Sequence, residues 1–360
     1  MKNLIGLSKV ELGHDLKENG IEEYRAKQIW NWIYYHGKTD FDIMNNLSKE
    51  IKTKLKEIYI LQRPNILKKQ KSKDGTIKWL IGFETSIENE KTFIDNIEMV
   101  YIPADDRGTL CISSQVGCPM GCKFCNTGQK GFKRNLTAGE IVSQLLIARD
   151  ELKEWDNLKN AIGEGRLISN IVLMGMGEPL LNRINVEKAV NIINDPDGIA
   201  FSNRRITLST CGIVPEIKSL NLKVNLALSL HASNDSVRKQ IMPIAEKYTI
   251  EETLIACKKY SEKNSDRRVT FEYILIGGLN DDEKYAYELI DLIKKYNIQA
   301  KFNLIPLNEW NGCSFKTSKN AIKFAKILTD AKFPSPIRKA MGNDIDAACG
   351  MLFDKKSTIC

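Results

Sequence analysis

The chain has 360 residues, a net charge of +8 and an apolar fraction of 42%. This is long enough for one large α/β barrel with a small appendage. No apolar run approaches the roughly 18 residues of a membrane span, and residues 1–16 lack the apolar core and cleavage site of a signal peptide. Nine cysteines, three of them within eight residues, indicate metal and redox chemistry in a reducing cytoplasm rather than a disulfide framework.

The first 60 residues are predicted to form a small helical domain. Ser8, with Glu11 three residues later, suits the start of one helix. A second helix is predicted to have an amphipathic face at steps of three and four residues, made of Tyr24, Gln28, Trp32 and Tyr35. A third, lysine-rich helix is predicted from about 48 to 59. We interpret the aromatic face as part of this domain's core rather than as a surface for base stacking.

Residues 61–103 are predicted to be a β-rich extension. The runs 76–83 and 92–102 have β character, and the Lys73-Asp74-Gly75 sequence before them is a turn signal. Residues 49–73, here called the basic stripe, carry nine Lys or Arg residues but two acidic ones, close to the whole chain's excess charge. Such a stripe fits binding to a phosphate backbone, and the alternative is a solvated lysine face.

From about residue 104 the chain repeats a short apolar run and a helical segment six times. The apolar runs are 109–114, 170–174, 205–209, 224–230, 268–276 and 301–306. The helical segments lie near 137–154, 184–194, 213–219, 249–263, 281–297 and 318–332. Alternating strands and helices predict parallel βα units, and six units are fewer than the eight of a closed barrel. The predicted fold class is therefore α/β, an open partial barrel with the small N-terminal domain.

Three cysteines with the spacing Cys-x3-Cys-x2-Cys follow the first apolar run: Cys118, Cys122 and Cys125. Thiolates this close together are typical ligands of an iron–sulfur cluster, and three of them leave the fourth iron of a cubane open. The alternative is a structural zinc site with Cys111 as fourth ligand. Zinc sites usually combine two separated Cys or His pairs, which this chain does not show.

Further polar motifs follow other predicted strands, where a parallel barrel gathers its active site. They are Gly175 to Pro179, Ser209 to Gly212, Ser229 to His231, and Asn308. Gly175-x-Gly177 is not a dinucleotide fingerprint, because Leu180 stands where the third glycine belongs. Each motif taken alone could be a tight turn or a helix cap.

The last motif, Asp-Ile-Asp-Ala-Ala-Cys-Gly at 344–350, places Cys349 among small residues. Taken alone, this cysteine would be interpreted as structural. The three-cysteine spacing, with an aromatic residue before the last Cys, resembles radical S-adenosylmethionine enzymes. Residues 98–136 and 338–350 resemble more specifically the RlmN/Cfr family of RNA adenine methyltransferases. Pro179 within Gly-Glu-Pro-Leu-Leu-Asn resembles the RlmN branch, which methylates C2, because the C8-methylating Cfr branch usually has alanine there.

The resemblance implies a (β/α)6 core at 104–342 and a C-terminal segment, 343–360, that carries the catalytic cysteine. It implies one [4Fe-4S] cluster on the three clustered cysteines and two molecules of S-adenosylmethionine per turnover. Cys349 would become an S-methylcysteine intermediate, Cys111 would release the product through a transient disulfide with Cys349, and Glu98 would transfer a proton. The residues implied in binding S-adenosylmethionine are Gly177, Glu178, Ser209, Ser229, Leu230, His231 and Asn308.

The implied substrates are adenine 2503 of 23S rRNA and adenine 37 of some tRNAs. A flavodoxin or ferredoxin would reduce the cluster, and the enzyme would be a cytoplasmic monomer. Two alternatives are a Cfr-like C8 methyltransferase and a non-catalytic iron–sulfur RNA-binding protein. The family's usual Pro-Phe-Pro-Gly after Asn308 is replaced here by residues 309–312, Glu-Trp-Asn-Gly. No role is assigned to Cys211, Cys257, Cys313 or Cys360.

Overall fold

The computed structural model describes residues 1–88, 91–105, 107–129, 131–158, 164–265 and 267–352. Cys360 lies outside the described residues. The strands are β1 (Lys2–Asn3), β2 (Tyr59–Ile60), β3 (Asn65–Lys71), β4 (Ile77–Glu88), β5 (Lys91–Ala104), β6 (Arg107–Cys111), β7 (Gln115–Gly117), β8 (Phe132–Asn135), β9 (Asn170–Leu173), β10 (Ile206–Thr210), β11 (Asn225–Ser229), β12 (Val269–Leu275) and β13 (Ala300–Pro306). The helices are α1 (Lys9–Glu18), α2 (Arg25–Tyr34), α3 (Lys49–Ile58), α4 (Asn126–Gln129), α5 (Ala138–Glu151), α6 (Arg183–Asn194), α7 (Val214–Ser219), α8 (Asp235–Ile241), α9 (Ile250–Lys263), α10 (Glu283–Lys295) and α11 (Ala321–Asp330).

Six parallel strands form the barrel, in the order β6-β9-β10-β11-β12-β13. They are the six predicted apolar runs, so the α/β prediction is confirmed. Helices follow the strands and cover the outer face, which leaves strands such as β12 buried along their whole length. In the described sheet β13 is an edge strand and does not pair with β6, so the barrel is open.

The β-rich extension continues the same sheet. Antiparallel strands β5, β4 and β3 add to β6, giving nine strands in all, with β3 as the outer edge. Strand β3 was not predicted, because its sequence, Asn-Ile-Leu-Lys-Lys-Gln-Lys, lacks apolar alternation. It is a largely exposed edge strand whose lysines discourage pairing with other chains. Helix α8 and the β7–β8 hairpin were also not predicted.

The N-terminal domain has the three predicted helices, but the aromatic face of α2 was wrongly assigned. Ser8 and Glu11 form the expected reciprocal capping box on α1. On α2, Tyr24 is exposed, while the buried face contains Trp30 and Tyr34, whose rings lie 4.4 Å apart. The predicted face lies beside the buried one, which consists of Ala26, Ile29, Trp30, Ile33 and Tyr34.

The N-terminal segment packs tightly on the barrel through two glycines. A side-chain carbon at Gly139 in α5 would lie 2.5 Å from the carbonyl oxygen of Ile5, and one at Gly6 would lie 2.3 Å from the Cα of Gly139. The amide of Gly6 also donates to the buried hydroxyl of Tyr34 at 2.9 Å. The first residues are therefore in backbone contact with helix α5 and are hydrogen-bonded to a side chain of helix α2.

We predict that Gly139→Ala destabilises the protein by about 1–3 kcal/mol, because the clash is with backbone that cannot move aside. This exceeds the gain in helix propensity of about 1 kcal/mol that alanine normally brings. Gly13→Ala in α1 is the matched control: its new carbon would meet the flexible side chain of Glu23 at 3.0 Å, so we expect little loss or a gain. Denaturant unfolding measures both; equal stabilities of the two variants would contradict the contact.

Candidate active site

Two cavities meet inside the barrel, and Cys349 lies in the wall between them. The inner cavity, of about 160 Å³, is lined by the three-cysteine loop and the carboxyl ends of several strands. The outer cavity, of about 1030 Å³, is lined by the barrel interior, the β3–β4 turn and the C-terminal residues. The residues common to both are Ile102, Met174, Glu272, Ile305, Arg338, Ala347, Ala348 and Cys349.

The three predicted cluster ligands, Cys118, Cys122 and Cys125, all line the inner cavity. Gly121, at φ +62°, turns the loop, and Gly128 packs against the backbone of Cys122, with no space for a side chain. Burial is the main cause that raises the pKa of Cys118 and of Cys125 to about 12, and the neighbouring thiols contribute to this rise. Cys118 and Cys125 would therefore need a cationic centre close by to be held as thiolates.

This donor set fits an iron–sulfur cluster. Within the described ranges, no three Cys, His, Asp or Glu side chains are arranged around a single metal-ion position. A cubane binds each thiolate to a different iron and does not require such convergence. Cys118, Cys122 and Cys125 would hold the cluster, which would leave one iron accessible from the inner cavity.

The loop that carries the three cysteines is hydrogen-bonded to the C-terminal residues around Cys349. We call residues 342–350 the carrier segment. The amide of Asn126 donates to the carbonyl of Gly350 at 2.8 Å, and the hydroxyl of Thr127 donates to the carbonyl of Leu352 at 2.7 Å. The position of Cys349 is therefore fixed relative to the cluster loop by direct contacts.

The other end of the carrier segment is held by the turn between β3 and β4. The amide of Gly342 donates to Asp74 at 2.7 Å, and the hydroxyl of Ser72 donates to Asp344 at 2.5 Å. Burial acts to raise the pKa of Asp74, but hydrogen bonds from Gly342, Thr76 and Ser72 outweigh it and lower the pKa to about 2. The Asp74 carboxylate thus stays charged and bonded at any ordinary pH.

Cys111 and Cys349, far apart in sequence, line the same inner cavity. Cys111 ends β6 and is buried, whereas the accessible surface of Cys349 faces the cavities. Burial raises the pKa of Cys111 to about 12 and also raises that of Cys349. Arg338 favours the thiolate of both. One guanidinium group therefore acts on both of the predicted catalytic cysteines.

Five of the seven residues predicted to bind S-adenosylmethionine line the inner cavity: Gly177, Glu178, Ser209, Ser229 and His231. Gly177 has φ +99° and packs against Gln115, so the glycine serves a close approach between loops. The buried carboxylate of Glu178 accepts from the amides of Leu180 at 3.0 Å and Cys211 at 2.7 Å. Burial nevertheless raises its pKa.

His231 joins the end of β11 to the cluster loop. Its Nδ1 accepts from the amide of Ile274 at 3.0 Å, and its ring meets Phe124 edge-on at 4.8 Å. Burial, aided by the charge of Arg238, lowers its pKa to about 3, so the imidazole is neutral. A neutral ring can donate one hydrogen bond from Nε2 into the cavity without adding charge.

The two remaining predicted residues lie elsewhere. Leu230 is fully buried and lines neither cavity. Asn308 lines the outer cavity and donates to the carbonyl of Cys349 at 3.0 Å. Nearby, Trp310 of the unusual 309–312 loop donates to the carbonyl of Phe124 at 3.2 Å. Asn308 and Trp310 therefore contact the carrier segment and the cluster loop respectively.

Glu98 is buried in β5 and is paired with Lys78 at 2.9 Å. Lys78 also donates to the carbonyl of Asp346 at 3.1 Å, which links this ion pair to the carrier segment. Strand alternation places Glu98 on the same side of β5 as Val100 and Ile102, which line the inner cavity, but Glu98 itself lines neither cavity. One of its carboxylate oxygens has no hydrogen-bond partner among the described residues.

Sequence reasoning missed two charged residues of the wall between the cavities, Glu272 and Arg338. For Glu272 the sequence did carry a signal: it is the one acidic residue in Val-Thr-Phe-Glu-Tyr-Ile-Leu, a strand whose seven residues are all buried. Arg338 stands at the beginning of the second family-like segment. Its partners come from distant parts of the chain, so its position relative to Cys111 and Cys349 could not be read from the sequence.

Comparisons with known proteins agree with this geometry. The model of the Radical SAM superfamily matches residues 112–290, and that of the ribosomal RNA large subunit methyltransferase N-terminal domain matches residues 2–61. The chain is 48% identical to the dual-specificity RNA methyltransferase RlmN of Rhodospirillum rubrum, covering 97% of this chain and 80% of that protein. The RlmN of Ruegeria sp. (strain TM1040) is also 48% identical, with coverage of 97% and 88%.

The fold is likewise similar to a crystal structure of a radical SAM methyltransferase from Sphaerobacter thermophilus. The two chains are 38% identical, the TM-score is 0.87, and the match covers 98% of this chain and 99% of the other. A [4Fe-4S] cluster and S-adenosylmethionine are the cofactors of this superfamily. With the sequence relatives and the N-terminal domain in agreement, the chain belongs to the RlmN family of radical S-adenosylmethionine methyltransferases.

Proposed function

We propose that this protein methylates C2 of an adenine in RNA, namely adenine 2503 of 23S rRNA and adenine 37 of some tRNAs. The observation that supports this most is that Cys111, Cys349 and the three-cysteine loop line one cavity. An iron–sulfur protein that only bound RNA would have no use for two further thiols beside its cluster. Pro179 favours C2 over C8 as the methylated carbon.

The two cysteines divide the chemistry because C2 of adenine is electrophilic and cannot take a methyl cation directly. The thiolate of Cys349 first accepts a methyl group from one S-adenosylmethionine by displacement. When bound, the cluster supplies the electron for reductive cleavage of a second S-adenosylmethionine, which provides the oxidant that removes a hydrogen atom from the S-methyl group. The methylene carbon on Cys349 then bonds to C2.

Release of the product requires a base and a second thiol. The adduct formed at C2 is a radical, so it would have to lose one electron, to the cluster when that is bound, as well as the C2 proton. Glu98 accepts that proton, and its ion pair with Lys78 holds it beside the carrier segment. The thiolate of Cys111 attacks the sulfur of Cys349 and breaks the bond between that sulfur and the methylene carbon. The released carbon takes up a proton and becomes the methyl group of the adenine, and a Cys111–Cys349 disulfide remains to be reduced. The inner-cavity residues Gly177, Glu178, Ser209, Ser229 and His231 bind S-adenosylmethionine, while Asn308 positions Cys349 and Leu230 contributes backbone only.

The RNA is proposed to approach through the outer cavity, with its target base unstacked at a cost of a few kcal/mol. Charged residues at this mouth include Arg107, Lys301 and Lys339. The basic stripe ends at Lys73, the residue before Asp74, which lines this cavity. Residues 1–60 are proposed to be an accessory RNA-binding domain. In the described part of the chain no helix is long and apolar enough to span a membrane. Ribosomal substrates and reduced thiols support a cytoplasmic enzyme; the flavodoxin-type donor and monomeric state stay predictions.

The nature of the metal centre is tested by iron analysis. Anaerobically purified protein should be brown and hold about four irons per chain. Replacing Cys118, Cys122 or Cys125 by Ala should abolish cleavage of S-adenosylmethionine, because each thiolate holds one iron. Cys257→Ala is the control, since that buried thiol lines neither cavity. Colourless, zinc-loaded and active protein would refute the assignment.

The basic stripe is tested by its salt dependence. Changing Lys68, Lys69, Lys71 and Lys73 together to Gln should weaken RNA binding and reduce its log–log salt slope by about 0.7–0.9 for each RNA phosphate that the variant no longer neutralises. RNA-independent cleavage of S-adenosylmethionine should persist. The control changes four exposed lysines of α9 and α10 that line neither cavity: Lys259, Lys263, Lys294 and Lys295. The same slope in both variants would assign the stripe to protection of the sheet edge.

The division of labour between the cysteines predicts opposite adduct contents. Cys349→Ala should carry no methyl group and form no covalent complex with RNA. Cys111→Ala should still be methylated on Cys349 and should stall as a protein–RNA adduct, visible as a nuclease-sensitive shift in a denaturing gel. Methylation of another residue, or no adduct from Cys111→Ala, would overturn the roles. Nucleoside mass spectrometry of wild-type product against 2-methyl- and 8-methyladenosine decides the carbon.

A further inference from the structure

Glu272 is a buried carboxyl group at the boundary between the two cavities. It lies on β12, where all seven residues are buried, and its own exposure is 4%. Both of its carboxylate oxygens accept hydrogen bonds from the side-chain amide nitrogen (Nδ2) of Asn303 on β13, at 3.1 and 2.8 Å. A buried carboxyl group destabilises a fold unless it is well paired. Glu272 lines both cavities, where a ligand can reach it, and a binding role would account for keeping a carboxyl group there.

The surroundings of Glu272 suit a flat heteroaromatic ring with a polar edge. Ile102, Met174 and Ile305 line both cavities with it and offer apolar surface to ring faces. Cys349 lines both cavities too, and its thiol is close enough to interact electrostatically with Glu272. A base that enters from the outer cavity therefore meets two groups where the cavities join. One is the carboxyl group of Glu272, which can hydrogen-bond to the polar edge of the base, and the other is the sulfur of Cys349, which would carry the methyl group.

We propose that Glu272 is a specificity-determining residue that binds the Watson–Crick edge of the target adenine, its carboxyl group accepting a hydrogen bond from the exocyclic N6 amine. This inference rests on the proposed function. Adenine carries N6 and C2 on either side of N1. A carboxyl group at the N6–N1 edge thus holds C2 near the neighbouring part of the wall, where Cys349 lies.

The electrostatics agree with this role. Burial raises the pKa of Glu272, while Arg338, Asn303 and Lys301 act in the opposite direction. A neutral carboxylic acid presents one acceptor and one donor, which match N6–H and N1 of adenine together. The competing explanation is that Glu272 serves only as the counter-ion of Arg338. In that case its removal would impair every substrate equally.

The test is a double-mutant cycle that combines a substitution of Glu272 with removal of the N6 amine from the target base. Two otherwise identical RNA hairpins carry either adenosine or purine riboside, which lacks the N6 amine, at the target position. Wild-type enzyme should favour adenosine in kcat/KM, and Glu272→Leu should reduce this preference by about 10- to 100-fold, because the accepted hydrogen bond is gone. Glu272→Gln keeps an acceptor and should retain most of the preference. Intrinsic reactivity of the two bases cancels in the comparison.

Methylation of Cys349 in the absence of RNA shows that each variant is folded and binds S-adenosylmethionine. Glu154→Gln is the matched control: Glu154 is fully buried but lines neither cavity, so the preference should stay as in wild type. A Leu variant that slows both RNAs equally overturns the inference. If the Leu variant lacks methylated Cys349, Glu272→Met is used in its place. Wild-type enzyme that shows no preference for adenosine over purine riboside overturns the inference by itself. Wild-type enzyme that methylates neither RNA refutes the proposed function instead.

Discussion

The active site depends on how the carrier segment is tied down at both ends. Its N-terminal end is hydrogen-bonded to Asp74 and Ser72 in the β3–β4 turn. Its C-terminal end is hydrogen-bonded to Asn126 beside the cluster cysteines, and Thr127 binds Leu352 just beyond it. Residues 342–350 form little regular structure, so without these contacts Cys349 would sample many positions. Fixing one residue's backbone costs about 1–2 kcal/mol, and several buried hydrogen bonds are needed to offset that over nine residues.

This attachment explains why the barrel sheet is longer than six strands require. Strands β3 to β5 extend the sheet on the β6 side, which brings the β3–β4 turn to the mouth of the outer cavity. The same extension supplies Glu98 and Lys78, whose ion pair contacts the carrier segment at Asp346. The extension therefore holds the carrier segment and contributes the proposed base.

The wall between the cavities concentrates opposing charges in a place of low polarity. Burial disfavours the thiolates of Cys111 and Cys349, whereas Arg338 favours both, and Glu272 counteracts Arg338 at Cys349. Removing either charged residue would change the reactivity of the cysteines as well as the shape of the wall. A readout that separates base recognition from thiol chemistry is for that reason essential when these residues are varied.

The sequence determined the fold class, because six apolar runs alternating with helical segments specify parallel βα units regardless of their contacts. It also pointed to the cluster loop, since Cys118, Cys122 and Cys125 are close along the chain and their spacing predicts the proposed ligand set. Local signals succeeded again at Ser8, where a capping box needs only residues three apart. Resemblance to a family supplied Cys111, Glu98 and Cys349, whose roles no local pattern specifies.

Tertiary structure alone decided what depends on contacts between distant segments. Strand β3 forms because β4 offers an open edge, despite a lysine-rich sequence with little β signal. Asn308 contacts the carbonyl of Cys349, and Glu272 shares a wall with Arg338, because the barrel brings the ends of separate strands together. The sequence specifies each side chain. The burial of a side chain and the residues that it contacts are decided only when the chain folds around a common interior.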